Sequence, residues 1–259
     1  MKHGNQIANQ QTILADLTPP KKGTSNNPKV KDVTRFISSA RRKNFPGPLW
    51  PIKHISYYII KRTIDIIFSL LGLIILSPVL LTIAILIRKN DGRPIIFKQL
   101  RTGYKGKEFY IYKFRTMSVN NNVRDLNTAD EYTKLGSFLR NSSLDELPQL
   151  LNVLKGDMSF IGPRPWIPDY FKFMTPAERK RVLVHPGITG LAQSMGRNSL
   201  TVFEKIGYDL KYVKHYSPLA DLIVIVKTVK IVLKKTAADA GKFVIRDDLK
   251  ALNAQEERL

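Results

Sequence analysis

The chain has 259 residues, enough to bury one sizeable core with tails to spare, and 42 Lys and Arg against 21 Asp and Glu give it a net charge of +21. It contains no cysteine, which excludes disulfides, thiolate catalysis and cysteine-based zinc sites, and its four histidines (His3, His54, His185, His215) lack metal-ligand spacing. A basic surplus of this size suits anionic headgroups, nucleic acid or phosphorylated substrates; no nucleic-acid motif or aromatic platform accompanies it, so membrane and phosphates are expected and nucleic acid is not.

Residues 1–50 read as a flexible basic tail, with Pro19-Pro20 and Ala40-Arg41-Arg42-Lys43 and a short helix near Val33–Ser39. Residues 1–62 hold twelve Lys and Arg against only Asp16 and Asp32. No secretory signal peptide is expected, because the first long apolar run follows about sixty polar, basic residues.

A membrane-associated segment is expected over residues 51–93. From Ile66 to Ile87, 22 residues pass without a charge. As one straight helix they would extend ~33 Å, enough for a hydrocarbon core of ~30 Å. A single spanning helix is therefore one reading. Basic residues flank both ends, however: Lys53, Lys61 and Arg62 before, Arg88, Lys89 and Arg93 after. The positive-inside tendency draws both ends to the cytoplasmic side. Ser77-Pro78 falls near the middle, where proline removes a donor and kinks a helix. Halves of roughly eleven residues reach ~16 Å each, about one leaflet. A re-entrant helix-break-helix is the favoured reading, with Ser77 bonding a carbonyl freed at the kink. Asp65 follows Lys61 and Arg62 at helical spacing, which predicts either a surface ion pair or a group oriented toward a lipid phosphate.

Pro94–Arg101 and Glu108–Arg115 are β-prone, and the turn signal Thr102–Gly106 between them predicts a β-hairpin. Lys113 and Arg115 are two apart and so share a strand face, either a solvated basic face or a contact for phosphate. A polar connector runs from Asn120 to Asp130, and a short helix is expected from Tyr132 to Arg140, weakened by Gly136 and Ser137.

Next comes Ser143-Leu144-Asp145-Glu146, opening an apolar helical pattern that ends near Lys155-Gly156-Asp157. Ser143 and Glu146 match a capping box, and Pro148 suits an early helical position, so capping alone is one explanation of the acids. Capping does not require two adjacent carboxylates. Nor does it explain Gly162-Pro163-Arg164-Pro165, where two prolines preorganise the Arg164 guanidinium. Carboxylates beside a membrane segment and a rigid arginine point to an enzyme of lipid-linked phosphates. Further on, Pro186-Gly187-Ile188-Thr189-Gly190 is glycine-rich enough to bring backbone N–H groups against a phosphate, although Pro-Gly is commonly just a turn. Asp221–Lys235 is an apolar helix with Lys227, Lys230 and Lys234 on one face, either core-packed or lying in a membrane interface. Residues 237–259 read as a charged tail.

From about Lys61 to Lys235 the chain resembles the bacterial sugar transferase family, the monotopic polyprenyl-phosphate phosphoglycosyl transferases that begin lipid-linked glycan synthesis. The resemblance is carried by residues 143–165, Lys61-Arg62-Thr63-Ile64-Asp65, Ser77-Pro78, Tyr112–Met117, His185–Gln193, Gly196-Arg197-Asn198 and Tyr208-Asp209. It implies a re-entrant anchor at the cytoplasmic face of a bacterial cell membrane, and Mg²⁺-dependent transfer of a sugar-1-phosphate from a UDP-sugar to polyprenyl phosphate. Asp145 is implied as the nucleophile, releasing UMP and forming a phosphosugar-aspartyl intermediate, with Glu146 holding Mg²⁺. Arg164 is implied as a clamp on the nucleotide end. Gly187, Thr189 and Gly190 are implied as further substrate ligands; Arg197 is either an anion ligand or a surface arginine, and Asp157 either a metal ligand or its support, or a turn former. One departure stands out: many members carry Trp-Ala-Gln-Val-Asn-Gly-Arg where this chain has Leu191-Ala192-Gln193-Ser194-Met195-Gly196-Arg197. Ser194 and Met195 therefore alter the expected sugar or nucleotide pocket. The compact form hints at an acetamido-deoxy sugar, and a homo-oligomer is left open.

The expected fold is α+β and mainly helical, with a small β-hairpin, one proline-broken re-entrant membrane helix and amphipathic interfacial helices. Residues 94–236 would form the cytoplasmic catalytic domain. The alternative from another class is a membrane-tethered, non-catalytic adaptor that recruits phosphorylated partners; the intact acidic pair counts against it.

Overall fold

The computed structural model describes residues 54–118, 132–196 and 200–234. The expected tails, the whole polar connector, and Arg197 with Asn198 lie outside the described residues.

The apolar run folds as two helices, α1 (Ile55–Ile75) and α2 (Ser77–Asn90), bent by 60° at Leu76. The sequence explains the break. Pro78 sits in the first turn of α2, where no backbone donor is needed, and the Ser77 hydroxyl donates to the Ile74 carbonyl at 2.7 Å. No single described helix is long and apolar enough to cross a membrane; only the bent pair passes together. The two arms are unequal, 21 and 14 residues, because helix also forms through Lys61, Arg62 and Asp65 ahead of the uncharged run.

The burial of α1 is inverted. Its buried residues are polar (Lys61, Asp65 and Ser69, four apart and so on one face), while Ile75 is 70 % exposed and Phe68 and Ile74 are also open. On α2, Ile83 and Ile87 are buried and Leu81 is 63 % exposed. A soluble amphipathic helix has the opposite arrangement.

The hairpin forms as expected. Strand β1 (Ile96–Thr102) pairs antiparallel with β2 (Glu108–Phe114), with Phe97 opposite Lys113 and Arg101 opposite Phe109. The following helix α3 (Lys134–Asn141) starts later than expected, capped by the Thr133 hydroxyl. A Cβ at Gly136 would lie 1.9 Å from the Thr116 carbonyl oxygen, so this glycine is a crossing point for two backbones.

Helix α4 (Gln149–Lys155) leads through Gly156 in a left-handed C-terminal turn to β3 (Ser159–Ile161). A short helix α5 (Pro168–Lys172) and a 3₁₀ segment (Glu178–Leu183) follow, then β4 (Gly187–Thr189). Strands β3 and β4 form a second, parallel two-stranded sheet absent from the sequence expectations. Helix α6 (Gln193–Gly196) precedes α7 (Val202–Lys214), which carries a complete Thr201/Glu204 capping box, and α8 (Pro218–Lys234). The main core lies between α7, α8 and β3, around Leu191, Ile206, Leu210, Tyr212 and Val224. A second core joins Ile83 and Ile87 of α2 to Phe114 and Leu139. The architecture is thus α+β and mainly helical. On α8, Val224 and Asp221 face inward, while Leu222, Ile225, Val226 and Val229 are exposed. Its lysines are not uniformly solvated: Lys227 is half-buried, 3.3 Å from the Met195 sulfur, and Lys230 is exposed.

Candidate active site

Asp145 and Glu146 lie on a 3₁₀ turn, Leu144–Glu146, between α3 and α4. Ser143 enters it in the left-handed region, φ 59°, a conformation that costs an L-residue roughly 1–2 kcal/mol. Leu144 and Leu147 pack against the α2 cluster, so the turn is seated beside the bent helix pair. The capping-box explanation of these acids fails here. Ser143 makes no side-chain cap, Pro148 sits just before α4, and the Glu146 carboxylate is engaged elsewhere.

Glu146 Oε1 accepts from Lys113 Nζ at 2.6 Å and from Arg164 Nη2 at 3.2 Å. Lys113 Nζ is also 3.8 Å from Asp145 Oδ2. Asp145 is 7 % exposed, and its carboxylate forms no hydrogen bond with a described residue. The two carboxyls are pushed apart electrostatically. Burial raises Glu146, but Arg164 and Lys113 together outweigh it and hold the group at about 2. Burial raises Asp145 and neighbouring Glu146 adds to this, against the pull of Lys113. One acid is therefore firmly ionised, and the other is a more basic, hydrogen-bond-poor carboxylate.

Arg164 is preorganised from behind. Its carbonyl accepts from Arg181 Nη2 at 2.7 Å, and Arg181 pairs with Asp209 at 2.5 Å in the core and lies over the Trp166 ring. The Pro163 carbonyl accepts from Gly187 N at 3.0 Å, and Gly162 N donates to the Thr189 carbonyl at 2.9 Å. With its backbone fixed, Arg164 keeps a side chain 43 % exposed and free to meet a ligand. A shallow groove runs beside it, lined among others by Thr102, Gly103, Pro163 and Val184.

Other expected site residues stand apart. Gly187 and Gly190 meet the 162–164 turn closely: a Cβ at either would lie 2.1 Å from the Gly162 backbone. Glycine is required there for packing, and the Gly187 N–H is committed to Pro163. The Thr189 hydroxyl bonds that of Thr228 on α8 at 2.9 Å. Arg115 lies one residue past the end of β2, and its guanidinium is buried on the Asp91 and Arg93 carbonyls rather than joining Lys113 at the acidic pair. Asp157 accepts from the Asn152 amide beyond the C-terminal end of α4, whereas Glu146 lies in the turn before its start. No group of three His, Asp or Glu gathers as a metal site among the described residues.

The Lys61, Arg62 and Asp65 grouping also resolves differently. Rather than forming a surface pair, each reaches a separate partner. Lys61 pairs with Asp221 of α8, which also accepts from Tyr57 and Tyr212. Arg62 donates to the Val153 and Leu154 carbonyls at the C-terminus of α4, and Asp65 accepts from Phe160 N. Sequence reasoning assigned no role to Arg181, and Asp209 was visible only through the Tyr208-Asp209 motif and as a carboxylate inside the apolar pattern of α7.

A family model described as bacterial sugar transferase matches residues 56–235. The chain is 42 % identical over 177 residues to an uncharacterised sugar transferase, EpsL, of Bacillus subtilis (strain 168), covering 68 % of this chain and 88 % of that protein. It is 37 % identical over 205 residues to the exopolysaccharide production protein ExoY of Sinorhizobium fredii, covering 72 % and 89 %. It is 42 % identical over 219 residues to a UDP-glucose:undecaprenyl-phosphate glucose-1-phosphate transferase of Klebsiella pneumoniae, covering 77 % of this chain but only 47 % of that longer protein.

Proposed function

The chain belongs to the bacterial sugar transferase family, and from that premise we propose that it transfers a sugar-1-phosphate from a UDP-sugar to polyprenyl phosphate at the cytoplasmic face of a membrane. The observation that carries this reading is the divergence of the acidic pair: an ionised Glu146 clamped by Lys113 and Arg164, next to an Asp145 of raised basicity that accepts no hydrogen bond among the described residues. The names of several relatives specify undecaprenyl-phosphate sugar-phosphate transfer, with galactose or glucose.

In this reading an Asp145 oxygen attacks the sugar-proximal phosphorus of the donor. The bond from that phosphorus to the bridging oxygen breaks, and UMP departs with the electron pair. The phosphate oxygen of the polyprenyl acceptor then attacks the same phosphorus, freeing Asp145 and giving polyprenyl-diphosphate sugar. A carboxylate nucleophile divides one difficult displacement into two. Lys113 steadies the Asp145 carboxylate before attack, and Arg164 meets charge on the nucleotide phosphate. The donor set suits Mg²⁺, which takes one or two carboxylates together with substrate phosphates: Lys113 and Arg164 both bond Glu146 through Oε1, so Oε2 would be the atom to hold the ion. Bound there, Mg²⁺ supplies neutralisation of diphosphate charge.

The helix pair supports a re-entrant anchor. Its entry is fastened through Lys61, Arg62 and Asp65 to α8, α4 and β3. Its exit is fastened through the Asp91 and Arg93 carbonyls to Arg115, and through the Asp91 carboxylate to Thr133. Both ends therefore attach to one catalytic domain, which favours one side of the bilayer. The outward apolar side chains suit hydrocarbon, and the polar stripe is spent on protein.

The test is UMP release by detergent-solubilised protein with Mg²⁺, polyprenyl phosphate and a panel of UDP-sugars that includes glucose, galactose and acetamido-deoxy sugars. Lipid-dependent turnover with one of them is expected. No release with any member, from folded protein, would contradict the assignment.

A further inference from the structure

The hairpin register places Arg101 on the same face as Lys113, with Gln99 between them: residues 97, 99 and 101 of β1 alternate together, opposite 113, 111 and 109 of β2. That face looks onto Glu146 and the Arg164 loop. Arg101 Nη1 donates to the Pro165 carbonyl at 3.2 Å, and Nη2 donates to Gln99 Oε1. Its Nε is shut away from solvent with no acceptor among the described residues. Its two partners are neutral. Among the described residues it forms no ion pair, although Glu146 attracts it and Arg164 repels it.

The local charge balance is uneven. Three cations, Arg101, Lys113 and Arg164, stand about two carboxylates. Glu146 already serves Lys113 and Arg164, and Asp145 is the more easily protonated acid. A guanidinium partly withdrawn from water and held by neutral acceptors is short of an anion, and burial with Arg164 nearby lowers its pKa to about 10.

We propose that Arg101 is an anion-binding residue of this site, awaiting a phosphate oxygen of the diphosphate donor or of the acceptor lipid. The inference rests on the phosphosugar-transfer reading and adds a residue to it. The fork geometry suits phosphate, which lysine meets only as a point charge.

Gln99 supplies the test, because it touches Arg101 and has no part in the chemistry. Gln99→Glu gives Arg101 a resident counter-anion. The ligand-free protein in detergent should melt higher than wild type, while affinity for the phosphate ligand falls by about 10- to 100-fold. Arg101→Gln should lose affinity similarly, and should it fail to fold, Gln99→Glu still decides the question. Binding is measured by calorimetry on the full chain with two probes, UDP and farnesyl phosphate. Weakening confined to UDP assigns Arg101 to the donor phosphates. Weakening confined to farnesyl phosphate assigns it to the acceptor phosphate. Unchanged affinity for both probes, with a raised melting point, overturns the proposal and leaves the transfer reading standing. A wild-type protein that binds neither probe and releases no UMP overturns both.

Discussion

The ion pair behind the Pro-Arg-Pro turn offers a quantitative prediction. Arg181 and Asp209 have side chains 2 % and 1 % exposed, joined by bonds at 2.5 and 3.0 Å. Asp209→Asn keeps the shape but leaves Arg181 as an uncompensated charge in the core, a defect that costs about 3–5 kcal/mol. For a domain of this size each kcal/mol lowers the melting midpoint by about 2–4 °C, so the loss is roughly 6–20 °C. The exposed pair Lys172–Asp169, 72 % and 66 % exposed, is the internal control: Asp169→Asn should cost about 0–1 kcal/mol. Thermal unfolding of both variants in the same detergent, without ligand, makes the comparison. Because Arg181 also holds the Arg164 carbonyl, Asp209→Asn should raise the KM for the UDP-sugar at temperatures where the protein is still folded. A melting midpoint for Asp209→Asn within about 2 °C of the Asp169→Asn control would refute the reasoning, since the change would then have left no costly unpaired charge in the core.

Three further outcomes follow from the same structure. Donor-step activity should fall on acidification through the Asp145 pKa, above the ordinary value of 3.8, because the protonated acid cannot attack; a pre-steady-state pH profile reads this directly. Glu146 has a folded pKa near 2 against 4.5 for an unperturbed group, so its stabilisation is full above 4.5 and is lost as pH falls toward 2. Glu146→Gln should remove that part of the acid sensitivity seen in unfolding curves and lower kcat by about 100-fold, as expected when one charged group at a phosphoryl-transfer site is lost. Because the chain has no cysteine, single cysteines at the exposed positions Ile55 and Lys89 can be labelled cleanly with an impermeant maleimide in oriented vesicles. Both should react from the same, cytoplasmic side; reaction from opposite sides would mean a spanning pair.

What the sequence made legible was local. The Ser77-Pro78 break needs only the missing proline donor, and the hairpin needs only alternation and a glycine turn, so both emerged near their expected bounds. The acidic pair was visible because two neighbouring carboxylates exceed what a helix terminus requires. What escaped depended on distant partners. Ser143 and Glu146 fit a capping box by spacing, yet Lys113 and Arg164 took the carboxylate, and no local rule could weigh their pull. Lys61 and Arg62 satisfied the spacing for Asp65, but Asp221 and the α4 carbonyls lie many residues away in the chain. Strands β3 and β4 are three residues each, too short to alternate, and their glycines looked like a phosphate loop because close backbone approach asks for the same residue. Gly136 looked like a helix weakness for a similar reason: its contact, Thr116, belongs to another segment.

The most direct test of the account is to incubate wild-type protein and Asp145→Asn with the UDP-sugar and Mg²⁺ but no lipid acceptor, then measure UMP and the intact mass of the chain. The account predicts about one UMP per wild-type chain and a mass increase of one phosphosugar that maps to Asp145 and disappears on adding polyprenyl phosphate, with neither signal from the variant. Turnover by Asp145→Asn within a few-fold of wild type, or UMP release that waits for the lipid, would contradict covalent transfer through Asp145.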